Sequence, residues 1–93
     1  MLVAVCQFEL LIPASNSLKA KRFVLSSLKT RLRNKFNISV AEVGSNDKWQ
    51  RATLGLSMVA NERKFLDQAI TQIFNLIDDE DEIEVINHQI EIF

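Results

Sequence analysis

The chain has 93 residues, 47% hydrophobic and 25% charged, with two glycines and one proline. That length suits one domain around one core, and the balance excludes a disordered or fibrous chain. The formal charge of −1 hides a division: residues 10–41 hold seven Lys and Arg and no Asp or Glu, while the rest holds four basic and all twelve acidic residues. Segregation of this kind predicts a cationic surface that the net charge does not reveal.

A lone cysteine, Cys6, excludes an internal disulfide and has no partner spacing for a metal. Residues 1–15 lack the basic start of a secretory signal, and no apolar run reaches the roughly 18 residues of a membrane span. The expectation is a cytoplasmic protein without membrane association.

Residues 2–12 alternate, with Leu2, Ala4, Cys6, Phe8, Leu10 and Ile12 on one face, and Val3 and Val5 make the other face apolar at its start. This pattern predicts a central strand whose second face is partly covered, for example by another subunit. Pro13 stops it, and Ser17 is a good N-cap for the stretch that follows.

Residues 17–36 read as an amphipathic helix. Leu18, Leu25, Leu28, Leu32 and Phe36 form its apolar stripe with Val24 at the border. Lys19, Arg22, Lys29 and Arg33 lie along one flank, and Lys21, Arg31 and Lys35 are assigned to the other. Phe23 points away from the stripe, either exposed or in a subunit contact. Cations crowd the helix start, where the dipole favours anions, so a bound phosphate would relieve the conflict. The competing reading is a solvated flank whose long stems cover the helix edge.

Residues 38–43 predict a short strand, and residues 44–50 a polar turn ending in Trp49 and Gln50. From Arg51 to Ala60 the alternation is the cleanest in the chain, predicting a hairpin with the preceding strand. Trp49 either stacks on a base or partner or caps the hairpin's edge. Asn61 is the expected cap of a second helix, with Phe65, Leu66, Ala69, Ile70, Ile73, Phe74 and Ile77 on its buried face. The acidic run at 78–82 is a solvated connection whose consecutive carboxylates do not converge on a cation. Residues 83–93 predict a last strand with a bulge near Val85, where the parity of its apolar residues changes.

Strand, helix, strand, strand, helix, strand is the order of a ferredoxin-like α+β fold, βαββαβ, with a four-stranded antiparallel sheet and two helices on one face. Its central strands carry no outward aromatics, so the sheet does not suit base stacking in the manner of an RNA-recognition motif. Cys6 and His88 read as packed residues, and no catalytic, metal or cofactor motif is present, so no enzyme activity and no cofactor are expected.

With SLKAKR at 17–22, FNISVAEVG at 36–44 and WQR at 49–51, the sequence resembles the DUF503 (YlxP-like) family of small bacterial proteins along nearly its whole length. The resemblance implies the same fold, and a gene often placed beside those for translation and ribosome-binding factors. It carries over to Ser17, Leu18, Lys19, Lys21, Arg22, Glu42, Trp49, Gln50 and Arg51. Ala20 and Phe23 stand where relatives are often charged.

The expected function is that of a non-enzymatic RNA- or ribosome-associated accessory protein, binding phosphate through Lys19, Lys21, Arg22, Lys29 and Arg33 with Trp49, Gln50 and Arg51 at the loop. The alternative is a protein-interaction or homodimer module using the open sheet face.

Overall fold

The computed structural model describes residues 1–93. Its elements are β1 (Leu2–Leu11), α1 (Leu18–Lys35), β2 (Ser39–Gly44), β3 (Arg51–Ala60), α2 (Arg63–Asp78) and β4 (Glu84–Ile92). The sheet order is β2-β3-β1-β4 with every pairing antiparallel. Each helix carries the chain over an intervening strand, giving the expected ferredoxin-like βαββαβ arrangement.

Period-two patterning sets the register. Ala4, Cys6, Phe8 and Leu10 of β1 stand opposite Met58, Leu56, Leu54 and Ala52 of β3, and all eight are buried. Leu25, Leu28 and Leu32 of α1 and Leu66, Ala69, Ile70, Ile73 and Ile77 of α2 join them in one core of 19 buried hydrophobic residues. At about 25 cal/mol per Å² of apolar surface, this burial is the main stabilising term.

On β4 the pairing shifts between Glu9 and Leu10, so that Asn87 faces Glu9, Val85 faces Leu10 and Ile86 is the extra residue. This is the bulge that the parity change predicts, and it returns Val85 to the core side.

Two local expectations are corrected. The N-cap of α2 is Glu62, without a side-chain cap bond, so Asn61 does not cap it. Phe65 is 60% exposed because it lies at the border of the α2 stripe, roughly 100° from its middle at 100° per residue. By contrast, Ser17 caps α1 as expected, its hydroxyl accepting from the Ala20 N–H at 3.0 Å. No helix is long and apolar enough to cross a membrane.

Candidate nucleic-acid interface

The cations of α1 separate into three groups. Lys21 is the first, and it is not on the surface. Its side chain is fully buried, and its ammonium donates to Glu42 Oε2 at 2.8 Å and to the carbonyls of Ser45 at 2.9 Å, Arg51 at 3.1 Å and Asn46 at 3.4 Å. Lys21 is therefore removed from the expected phosphate-binding set: its donors are saturated, and no anion can reach it without unmaking the loop.

The reason is angular. At 100° per residue Lys21 falls about 20° from the middle of the stripe formed by Leu18, Leu25, Leu28 and Leu32, so the helix aims it at the sheet. There it meets Glu42, whose register opposite Leu54 gives it core-side parity on β2. A buried ammonium persists only when paired and hydrogen-bonded, and this one has both kinds of partner.

The second group faces α2. Arg31 is ion-paired with Glu80, and Lys35 lies over the Phe36 ring at 5.8 Å. The third is the predicted flank of Lys19, Arg22, Lys29 and Arg33. Lys19, Arg22 and Arg33 are exposed and Lys29 is half-buried, and none of the four has a carboxylate within ion-pair distance. An Nη2 hydrogen of Arg33 is donated to the Val40 carbonyl at 3.0 Å, which places this flank beside the edge strand β2.

The β2–β3 loop is fixed against the start of α1. Besides the Lys21 bonds, Lys48 N–H donates to the Ser45 carbonyl at 3.0 Å across a turn in which Ser45 takes the left-handed conformation, φ 58°. Gln50 is also reassigned: its side-chain amide donates to the carbonyls of Pro13 at 3.1 Å and Ser15 at 3.3 Å, stapling the β2–β3 loop to the β1–α1 loop. Trp49 is 56% exposed. Arg51 is exposed, but its register opposite Leu11 sends its side chain to the sheet face away from the helices.

Phe23, 79% exposed, walls a hollow of about 440 Å³ with Ile12, Ala20 and Val24, and Lys19 and Glu82 also line it. His88 packs its ring edge against Phe74, centroids 5.4 Å apart. Cys6 is buried, and desolvation pushes its thiol pKa up from 9.0, the behaviour of a small core residue and not of a nucleophile.

The family described as "Protein of unknown function (DUF503)" matches residues 3–90. The chain belongs to the DUF503 family. Among the relatives of this DUF503 chain is a protein of Bacillus subtilis (strain 168) named "Uncharacterized protein YlxP", 36% identical over 83 residues, covering 89% of this chain and 90% of the relative. In this DUF503 chain, Lys21, Glu42 and Gln50 are bonded within one junction that joins the start of α1 to β2 and to the β1–α1 and β2–β3 loops.

Proposed function

We propose that this DUF503 chain is an RNA-binding accessory protein without catalytic activity, and that it holds the phosphate backbone along the outer flank of α1. The observation that carries the reading is the unpaired state of Lys19, Arg22, Lys29 and Arg33. The chain has twelve acidic residues, yet none forms an ion pair with any of these four. Four like charges along one helix repel one another at low salt, and a polyanion relieves this while releasing its own counterions. Lys48, on the loop at the helix start, extends the surface.

Three to five phosphate contacts give log K a slope of roughly −2 to −4 against log salt, at about 0.7 to 0.9 per phosphate. Fluorescence anisotropy of a labelled RNA between about 50 and 200 mM salt measures this slope. A slope near zero, or no association at low salt, would refute the reading.

A second reading is favoured by the outer sheet face. Val5, Val43 and Val59 are exposed there, at 43%, 54% and 54%. Phe93 exchanges backbone hydrogen bonds with Val3, which puts it on the same face, 67% exposed. Where Val3 and Val5 make the start of β1 apolar on both faces, the strand is normally covered on both, and a second copy laid on this end of the sheet would do so. Light scattering decides the matter: a dimer of constant mass across a hundredfold dilution supports it, and a monomer at every concentration removes it.

A further inference from the structure

Trp49 stacks on nothing in the chain. The ring pairs all lie among Phe8, Phe74 and His88, and the single cation over a ring is Lys35 on Phe36. An exposed indole on a loose loop would need no explanation, but the main chain on both sides of this one is tied down. Before it, Lys21 holds the carbonyls of Ser45 and Asn46; after it, Lys21 holds that of Arg51. Next to it, the Gln50 carbonyl accepts from the Ile12 N–H at 2.8 Å while the Gln50 amide grips Pro13 and Ser15. The ring is thus presented on a fixed frame, which removes much of the ordering cost of any contact it makes. Lys48 immediately precedes it, exposed and without a carboxylate partner, and the basic flank of α1 begins at the same end of the molecule.

The geometry points to an unpaired nucleobase as the partner of Trp49, and so to single-stranded rather than duplex RNA as the substrate class; this rests on the RNA-binding reading above. A strand whose phosphates follow the α1 flank carries flat bases that can turn onto the indole. In a duplex those faces are already stacked on one another and free only at the ends. Because every base has a π-face, the contact selects strandedness and little sequence.

The chain has one tryptophan and no tyrosine, so its ultraviolet emission reports Trp49 alone. Titrations use an adenosine- and uridine-containing RNA of about 12 nucleotides, labelled for anisotropy and unlabelled for emission, as a single strand and as a blunt duplex of equal length. The single strand should quench the emission and bind more tightly, although the duplex has the higher charge density. Trp49→Leu should weaken single-strand binding roughly five- to a hundredfold and leave duplex binding unchanged. Trp49→Phe, which keeps a π-face, should retain most of the affinity, separating stacking from plain apolar contact; circular dichroism confirms that both variants fold.

Equal binding of the two RNAs with unmoved emission, or equal losses in the Leu and Phe variants, overturns the inference while a measurable salt slope keeps the phosphate-binding reading standing. Absence of binding by either RNA overturns both.

Discussion

Replacing Lys21 by Met should lower the stability of the fold by about 3 to 5 kcal/mol, the range found when one partner of a buried ion pair is removed. The methionine fills most of the space left by the lysine stem, so the loss measures the ammonium. Without it Glu42, whose side chain is 13% exposed, loses its counter-charge, and the carbonyls of Ser45, Asn46 and Arg51 lose a shared donor. An exposed lysine on a helix flank would cost less than about 1 kcal/mol, so the two placements differ by more than the error of a denaturant titration.

The double variant Lys21→Met with Glu42→Leu should recover part of the loss, since it no longer leaves an uncompensated charge. A single variant that unfolds with the parent midpoint would show that Lys21 is solvated after all. Because total stability of a small domain is of order 5 to 15 kcal/mol, the single variant is expected to remain largely folded at low temperature, with a midpoint lowered by more than about 10 °C.

The triple replacement of Arg22, Lys29 and Arg33 by Ala should act on the opposite quantity. Affinity for RNA falls on the order of a hundredfold at about 0.1 M salt, and the salt slope becomes shallower by about two units, if the three side chains neutralise three phosphates. Stability barely moves, because none of the three is ion-paired and the one bond lost, from Arg33 to the Val40 carbonyl, contributes about 1 kcal/mol. The two variants therefore dissociate: Lys21→Met destabilises the fold, whereas the triple variant weakens binding in a folded protein. An undiminished affinity in the triple variant, by anisotropy across the same salt range, would move the RNA off this flank entirely.

The architecture was legible because its signals are periodic and local. Strict alternation in β1 and β3, leucines at three- and four-residue spacing in α1, and a parity change at the end of the chain dictate sheet, helix and bulge without reference to anything distant in sequence. The junction was not legible in the same way. Helical spacing puts Lys21 on the side of the stripe that also holds Arg31 and Lys35, but its position, four residues before Leu25 and seven before Leu28, is close enough to the leucines to fall within the buried stripe. A carboxylate of core-side parity at Glu42, after Val40, was the complementary signal.

Gln50 offered no such clue. Its amide reaches backbone carbonyls 35 and 37 positions away, and backbone acceptors leave no trace in a sequence. The part of the surface that remains as expected, from Lys19 to Arg33, is the part for which helical spacing alone decides where the side chains go.

An open sheet has two borders, and strand addition by another molecule requires a straight run of free main-chain groups along one of them. On β2 a carbonyl is taken by Arg33, and on β4 the extra residue Ile86 bends the strand. Each border is thus interrupted, β2 also by its own register shift between Glu42 and Gly44, which disfavours growth of stacked copies into fibrils and leaves self-association, where it occurs, to the broad face instead of the rim.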